Sequence, residues 1–226
     1  MSPKEKEKKI AALEAVKFVK SNDIVGLGTG STAYYAILEI GRLVKEGLQV
    51  QCIPTSVQTE TLARSLDIPL MELQDASSID VTIDGADEFT TGLNLIKGGG
   101  AALFREKIVA SLTKMEIIIA DKAKKVDLLG KFKVPVEVVP LAINYAAQQI
   151  EALGGSAVLR KKEGEIVVTD NRNYILDADF GLIEDPATLA EHLNQIEGVL
   201  AHGLFIGLTS MIIVGEGEQT TVYHRN

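Results

Sequence analysis

The 226-residue sequence contains one cysteine, no tryptophan and three histidines. A single thiol, Cys52, excludes an intrachain disulfide framework and any cysteine-rich zinc or iron–sulfur centre. We interpret it as a small buried apolar residue on a strand. The histidines, His192, His202 and His224, all lie near the C-terminus. The sequence therefore offers little material for a histidine- or cysteine-based metal site, and we expect ordinary structural or surface histidines.

Excess positive charge and long apolar runs are also missing. There are 23 Lys+Arg against 31 Asp+Glu, which gives a formal net charge of −8. This balance argues against a general binder of nucleic acid or anionic membranes, because such proteins use positive charge to displace counterions. The uncharged stretch 203–215 is shorter than the roughly 20 apolar residues of a membrane span. The Lys/Glu-rich N-terminus lacks the apolar core of a secretory signal. We expect a cytoplasmic globular protein.

The first half of the chain alternates short apolar runs with helical patterns. Strands are predicted at 24–27, 50–53, 79–84 and 116–120. Between the second and third strands, Thr55 and Gln58 have the spacing of a capping box at a helix start. Alternation of this kind predicts an α/β fold, a Rossmann-like and mostly parallel sheet flanked by helices.

The pattern changes after Gly130. A strand predicted at 134–139 contains Pro135, which favours an edge strand because proline cannot donate to a ladder. Short strands and two helices follow, and the apolar run 211–214 returns to the first sheet. We therefore predict an α/β catalytic domain formed by residues 1–130 plus 204–226, and a smaller inserted α+β domain formed by residues 131–203.

The segment Gly28-Thr29-Gly30-Ser31-Thr32 lies between a predicted strand and a predicted helix. Unpaired amides and the positive end of a helix dipole favour a phosphate or another anion at such a position. The segment is neither the dinucleotide fingerprint nor the Walker loop, because the glycine spacing differs and no Lys-Ser/Thr pair follows. A tight turn in which Ser31 or Thr32 caps the helix is the alternative.

The segment Asp84-Gly85-Ala86-Asp87-Glu88 places three carboxylates at the carboxyl end of a predicted strand. Open α/β sheets bind ligands at this edge, and clustered carboxylates supply a general acid and a general base. A metal site and a solvated acidic turn are the alternatives.

The segment Lys97-Gly98-Gly99-Gly100 precedes a helix predicted at 101–112. Consecutive glycines cost backbone entropy, so they favour a loop that lies against a ligand, and Lys97 adds a cation for an anionic oxygen. Glu106 would face the same cleft, or else pair with a basic neighbour on the helix surface. Lys124 follows the strand at 116–120 and offers a second cation, unless it belongs to a solvated charge run.

Together these blocks resemble the ribose-5-phosphate isomerase type A family in order and spacing. The blocks that carry the resemblance are Gly28 to Thr32, Asp84 to Glu88, Lys97 to Leu103 with Arg105-Glu106-Lys107, and Ala120-Asp121 with Lys124. Weaker blocks extend it over nearly the whole chain: Gly130-Lys131-Phe132, Pro135 to Val138, Gly154-Gly155, Thr169-Asp170-Asn171 and Gly203-Leu204-Phe205.

The resemblance implies an aldose–ketose isomerase that interconverts D-ribose 5-phosphate and D-ribulose 5-phosphate through an ene-diolate. This reaction belongs to the non-oxidative branch of the pentose phosphate pathway. By the same resemblance the enzyme needs no metal or organic cofactor, takes a small sugar phosphate as its substrate, and forms a homodimer or homotetramer through the inserted domain.

The resemblance also implies roles for individual residues. Glu106 is the expected base, Asp84 assists ring opening, and Asp87 binds sugar hydroxyls. Lys97 and the amides of Gly98, Gly99 and Gly100 stabilise the ene-diolate. The expected contacts to the remaining substrate oxygens, including the phosphate, come from Thr29, Gly30, Ser31, Thr32, Gly85, Ala86 and Lys124.

Two other classes of protein stay open on the sequence. A sugar-phosphate-sensing effector domain of a transcription regulator has a similar fold, but it would need a DNA-binding segment that we do not find in these residues. An enzyme related to the CoA transferases would use a glutamate in a different glycine context and would lack the block from Lys97 to Lys107.

Overall fold

The computed structural model describes residues 1–225. Its helices are α1 (Pro3–Val16), α2 (Ala33–Lys45), α3 (Val57–Ser65), α4 (Leu103–Leu112), α5 (Ile143–Ala152) and α6 (Pro186–Asn194). Its strands are β1 (Ile24–Leu27), β2 (Gln51–Pro54), β3 (Ile79–Gly85), β4 (Glu88–Phe89), β5 (Leu95–Ile96), β6 (Thr113–Asp121), β7 (Val134–Val138), β8 (Ser156–Leu159), β9 (Lys161–Lys162), β10 (Glu165–Ile166), β11 (Tyr174–Asp179), β12 (Val199–His202), β13 (Leu204–Phe205), β14 (Met211–Glu216) and β15 (Gln219–His224).

These elements form two compact units. The first consists of residues 1–86, 108–125 and 208–225, and the second consists of residues 87–107 and 126–207. The division falls inside α4, after Lys107. The second unit includes residues 87–107, which the sequence-based division assigned to the first domain. The domain boundaries predicted at Lys131 and Gly203 stay a prediction.

The first unit is built on a six-stranded sheet in the order β15-β14-β6-β3-β1-β2. All neighbouring pairs are parallel except β14 with β15. The central strands are short apolar runs, and side chains such as Val25, Val81, Ile117 and Ile213 are buried against the helices. This confirms the predicted mostly parallel α/β fold and the return of the chain to this sheet through β14.

The second unit contains a four-stranded antiparallel sheet in the order β12-β7-β11-β8. Valines of β7 and apolar side chains of α5 and α6 form its core, among them Val136, Ile150 and Leu193. The short strands β13, β5 and β4 form a separate antiparallel sheet, and β9 pairs with β10. The predicted α+β character of this region agrees with these elements.

The prediction that Pro135 marks an edge strand is wrong, because β7 lies between β12 and β11. On one side Pro135 faces Asp177 of β11. On the other side the paired register of β12 ends at His202, opposite Val136. Beyond that point Pro135 acts only as an acceptor, receiving the amide of Gly203 at 2.7 Å. An internal strand tolerates proline where its neighbour's register has ended, since no donor is needed there.

Two helix starts also differ from the prediction. The N-cap of α3 is Ser56, whose hydroxyl accepts the amide of Thr59 at 3.1 Å, so Thr55 and Gln58 do not form a capping box. Helix α4 begins at Leu103 rather than at residue 101, which places Glu106 in its first turn. Within residues 1–225, no helix combines the length and the apolar composition that crossing a bilayer requires.

Candidate active-site residues

Asp84 is the next-to-last residue of β3 in the first unit and is 1% exposed. Its Oδ1 atom accepts the amides of Gly85 at 2.6 Å and Thr29 at 3.1 Å, which ties the aspartate to the loop after β1. A Cβ atom on Gly28 would lie 2.2 Å from the same oxygen, so only glycine permits this approach. The carboxylate is therefore buried, oriented and charge-stabilised by backbone amides.

A cluster of hydroxyl groups surrounds Thr29 in the loop after β1. Thr29 Oγ1 lies 2.7 Å from Thr55 Oγ1 and donates to Ser56 Oγ at 2.9 Å. Thr59 Oγ1 donates to the Gly28 carbonyl oxygen at 2.8 Å. Thr55, Ser56 and Thr59 are buried and fix the loop from the α3 side. Sequence reasoning missed this role, because it assigned the segment after β2 only to helix capping.

The remaining loop residues lie closer to the surface. Gly30 and Ser31 are exposed, and Thr32 precedes α2 without a side-chain capping bond. Lys8 of α1 donates to Ser31 Oγ at 2.7 Å and so brings an ammonium group to this loop. The sequence analysis did not single out Lys8, because its neighbours in α1 are a run of exposed Lys and Glu.

The edge of the sheet explains why the other predicted residues of the first unit gather here. Strands β1, β3 and β6 run parallel, so their carboxyl ends meet at one edge. Gly85 and Ala86 follow Asp84 at this edge, and the half-buried Lys124 follows β6. The first unit thus holds the glycine loop, Asp84 and Lys124, as the sequence indicates.

In the second unit Lys97 and Glu106 form a buried ion pair. Lys97 follows β5, and Glu106 lies in the first turn of α4. The Lys97 Nζ atom lies 3.4 Å from Glu106 Oε1, and the two residues are 2% and 5% exposed. Of the alternatives for Glu106, surface pairing on a helix is wrong, because the side chain is buried and faces a lysine nine residues earlier.

The triple-glycine loop is held from two sides within the same unit. Asp87 Oδ2 accepts the Gly99 amide at 2.7 Å, and a Cβ on Gly99 would lie 2.6 Å from Asp87 Oδ1. Arg160 donates to the Gly98 carbonyl oxygen at 2.8 Å while its guanidinium pairs with Asp177. The Gly99 amide is therefore already engaged by Asp87. Arg160 lies about sixty residues away in sequence, where no local motif points to it.

Glu88, the third carboxylate of the segment from Asp84 to Glu88, has a structural role. Its side chain is buried and accepts the amides of Gly130 at 2.9 Å and Phe132 at 2.5 Å. It therefore shapes the turn before β7. Two of the three carboxylates, Asp84 and Glu88, are buried and hydrogen-bonded to the backbone, so the alternative of a solvated acidic turn does not hold for them. Among residues 1–225, no group of three or more His, Cys, Asp or Glu side chains is arranged for a metal ion.

Burial changes the proton affinity of three other groups. It raises the pKa of the Cys52 thiol to about 12, in keeping with the predicted buried apolar role. Burial also lowers the pKa of Lys107 to about 7. His202 is buried too, and burial together with the Lys107 charge lowers its pKa to about 3. Cys52 belongs to the first unit, and Lys107 and His202 belong to the second.

The fold and these side chains define a class of protein. A parallel sheet carries a glycine loop and an oriented aspartate at its carboxyl edge. A buried lysine–glutamate pair stands beside a second glycine loop. Such groups suit an α/β enzyme that transfers protons on a small anionic substrate.

Comparison with known proteins identifies the family. The model of ribose 5-phosphate isomerase A (phosphoriboisomerase A) matches residues 51–219. The chain belongs to this family. It is 50% identical over 222 residues to ribose-5-phosphate isomerase A of Desulfatibacillum aliphaticivorans, with 96% of each chain covered. It is 48% identical over 214 residues to that of Methanothermobacter thermautotrophicus, with 93% of this chain and 94% of the relative covered.

Solved structures agree with the sequence relatives. Ribose 5-phosphate isomerase A of Methanocaldococcus jannaschii superposes with a TM-score of 0.91 at 40% identity, covering 96% of this chain and 97% of that one. A D-ribose-5-phosphate isomerase solved in complex with phospho-erythronic acid gives a TM-score of 0.95 at 41% identity, with full coverage of both chains. The predicted family and the predicted activity, interconversion of ribose 5-phosphate and ribulose 5-phosphate, are confirmed.

Proposed function

We propose that Glu106 is the base of the isomerisation and that Lys97 stabilises the charge that proton removal creates. The observation that carries this proposal is the buried ion pair between the two side chains, 3.4 Å apart. When a carboxylate accepts a proton from carbon 2, its own charge disappears while charge develops on the substrate oxygen at carbon 1. Lys97 then exchanges one anionic partner for another, which stabilises the ene-diolate without moving a charge into the buried site.

The bonds balance over two proton transfers at carbon and one between the two oxygens. In the first, the pair of electrons of the carbon 2–hydrogen bond forms the double bond between carbons 1 and 2, and the carbonyl oxygen becomes anionic. In the second, protonated Glu106 returns the proton to carbon 1 while carbon 2 becomes the carbonyl. The hydroxyl proton passes from the oxygen on carbon 2 to the oxygen on carbon 1. One carboxylate that accepts and returns a proton supports this sequence without an oxidant.

We assign the first unit to ring opening and substrate binding. Asp84 is held by the amides of Thr29 and Gly85, so its carboxylate is oriented for proton transfer at the ring oxygen. The loop from Thr29 to Thr32 and Lys124 bind substrate oxygens, including the phosphate, and Lys8 adds a further ammonium at Ser31. The complex of a similar isomerase with phospho-erythronic acid supports a small phosphorylated ligand.

Within the second unit we assign substrate contacts to the glycine loop and to Asp87. Asp87 binds sugar hydroxyls and orders the loop through the Gly99 amide. The backbone of Gly98, Gly99 and Gly100 stabilises the ene-diolate oxygens. In this scheme the Gly99 amide exchanges Asp87 for the substrate on binding.

Steady-state kinetics of Glu106→Gln and Lys97→Ala test the assigned roles. Glu106→Gln is expected to lower kcat by about 10²–10⁴-fold with KM near that of the wild type, because a positioned base contributes that much to rate. Lys97→Ala is expected to lower kcat and raise KM. The exposed Glu46→Gln serves as the matched control. Turnover of Glu106→Gln near the wild-type rate would remove Glu106 from the mechanism.

We also propose that catalysis needs no metal or organic cofactor. Purified enzyme dialysed against EDTA is expected to convert ribose 5-phosphate at the rate of the untreated enzyme. Loss of activity on chelation, and its recovery with a divalent cation, would contradict this part of the proposal.

We propose a homodimer or homotetramer with residues 131–203 as the contact surface. Large apolar side chains exposed in this segment support the idea, among them Leu141 at 99% and Leu182 at 64%. Light scattering at assay concentrations is expected to give a dimer or tetramer, and Leu182→Glu is expected to weaken it. A monomer at all concentrations would contradict the proposal. The cytoplasmic location stays a prediction, to be checked by cell fractionation.

A further inference from the structure

The buried ring of Phe205 is shared by two lysines. The Nζ atom of Lys107 lies 4.8 Å from the ring centroid, and that of Lys97 lies 5.4 Å from it. Phe205 itself is 1% exposed. Cations near an aromatic ring inside a protein interact with it strongly, because water competes little there. The proposed reaction uses Lys97 and leaves Lys107 without a role.

Lys107 is fixed by more than the ring. Its ammonium donates to the Leu204 carbonyl oxygen at 2.9 Å and lies 3.3 Å from His202 Nδ1. The Leu204 amide also donates to His202 Nδ1 at 3.3 Å. Since Nδ1 is the acceptor of a backbone amide, the imidazole carries its proton on Nε2 and is neutral. A neutral imidazole can accept from Lys107, whereas an imidazolium would repel it.

Lys107 holds strand β13, which pairs with the strand that ends just before Lys97. Strand β13, Leu204–Phe205, pairs antiparallel with β5, Leu95–Ile96. The next residue after β5 is Lys97, whose amide donates to the Gly203 carbonyl oxygen at 2.9 Å. Lys107 directly follows Glu106 in α4. The Lys107 side chain therefore ties the helix that carries Glu106 to the strand that supports Lys97.

We propose that Lys107 is a positioning residue that, through Phe205 and the Leu204 carbonyl, keeps the Lys97 ammonium directed at Glu106. This inference rests on the proposed roles of Lys97 and Glu106. Without the Lys107 contacts, α4 and β13 lose a buried connection, and the Lys97–Glu106 distance increases. Lys107 touches neither substrate nor reacting atoms in this scheme.

The test compares Lys107→Met with Lys17→Met, the same change at an exposed lysine outside residues 131–203. Lys107→Met is expected to lower kcat about 10-fold or more with KM nearly unchanged, since misplaced catalytic groups cost rate rather than affinity. The acidic limb of its kcat–pH profile is expected to move to higher pH, because a carboxylate that loses a neighbouring cation binds its proton more tightly. Lys17→Met is expected to match the wild type in both respects.

A second variant covers the case in which Lys107→Met does not fold. Phe205→Leu removes the ring that the two lysines share and is expected to shift the acidic limb in the same direction. In the double variant the two shifts are expected to be less than additive, because both act through one contact. A crystal structure of either variant is expected to show Lys97 Nζ more than about 4 Å from Glu106, beyond the range of a close ion pair.

The outcomes separate this inference from the proposed function. If Glu106→Gln is inactive while Lys107→Met and Phe205→Leu keep the wild-type kcat and acidic limb, the positioning role is overturned and the role of Glu106 stands. A lowered Tm with unchanged pH profile would likewise reduce Lys107 to a structural residue. Wild-type turnover of Glu106→Gln would instead overturn the proposed function.

Discussion

Arg160 Nη1 donates to the carbonyl oxygen of Gly98 at 2.8 Å, and the same guanidinium pairs with Asp177 on β11. A side chain that directly follows β8 thereby fixes the loop after Lys97. The Arg160 side chain is 13% exposed, so this contact is shielded from water and from salt. The loop depends on it because glycines supply no side chains of their own to hold it.

We therefore expect Arg160→Leu to impair catalysis through the glycine loop. Losing the donor leaves the Gly98 carbonyl and the Asp177 carboxylate without their partner, which loosens the loop and lowers kcat/KM about 10-fold or more. Steady-state kinetics measures the effect. Arg64→Leu, at an exposed helical ion pair, is the matched control and is expected to leave kcat/KM unchanged. Equal kinetics for the two variants would contradict the role of Arg160.

A second prediction concerns the close approach of Gly28 to Asp84. A Cβ at position 28 would lie 2.2 Å from Asp84 Oδ1 and 2.5 Å from Asp84 Cα, so both the carboxylate and the backbone would have to move. We expect Gly28→Ala to lower the free energy of unfolding by about 1–3 kcal/mol and to reduce kcat. Urea unfolding and steady-state kinetics give the two values.

Gly92→Ala is the control for this substitution, because a Cβ there meets no atom closer than 3.7 Å. We expect wild-type stability and activity for it. If Gly28→Ala were as stable and as active as Gly92→Ala, the contact between the glycine loop and Asp84 would not be tight in solution.

A third prediction concerns acid stability through His202. Its pKa in the folded protein is lowered to about 3, mainly by burial, whereas the unfolded chain titrates near 6.5. Below pH 6.5 the unfolded state binds a proton that the folded state rejects, so this group destabilises the fold progressively as pH falls toward 3. Each pH unit in that window costs about 1.4 kcal/mol.

His202→Gln removes this pH-dependent contribution. We expect the free energy of unfolding of the variant to fall less steeply with decreasing pH than that of the wild type. Relative to the wild type, the variant should gain about 2 kcal/mol between pH 6 and pH 4. Urea unfolding over this range measures both curves, with the exposed His192→Gln as control. Parallel curves for the wild type and His202→Gln would show that His202 takes up its proton in the folded state.

The sequence predicted the parts of this protein that depend on local pattern. Short apolar runs such as Ile117 to Ala120 predict buried parallel strands, because both faces of such a sheet are covered. The position of Asp84 at the end of β3 follows from the alternation of that strand. Lys97 and Glu106 were both predicted near the triple glycine, and the structure brings their side chains together.

What the sequence did not predict depends on contacts between distant segments. Arg160 reaches Gly98 across 62 positions, and Lys8 reaches Ser31 across 23. The hydroxyl contact from Thr29 to Thr55 needs β1 and β2 to be adjacent in the sheet. The residue pattern within a single strand does not say which strand lies beside it. The edge-strand prediction from Pro135 is wrong because the pairing of β12 with β7 ends at His202, before it reaches Pro135. A proline can therefore lie in an internal strand.

The measurement that tests the central claim most directly is hydrogen exchange during turnover. With ribose 5-phosphate in D₂O, the wild-type enzyme is expected to give ribulose 5-phosphate that carries deuterium at carbon 1, because a protonated Glu106 exchanges with solvent before it returns its proton. Glu106→Gln is expected to incorporate deuterium at least about 100-fold more slowly. Incorporation of deuterium by Glu106→Gln at the wild-type rate would contradict proton transfer by Glu106.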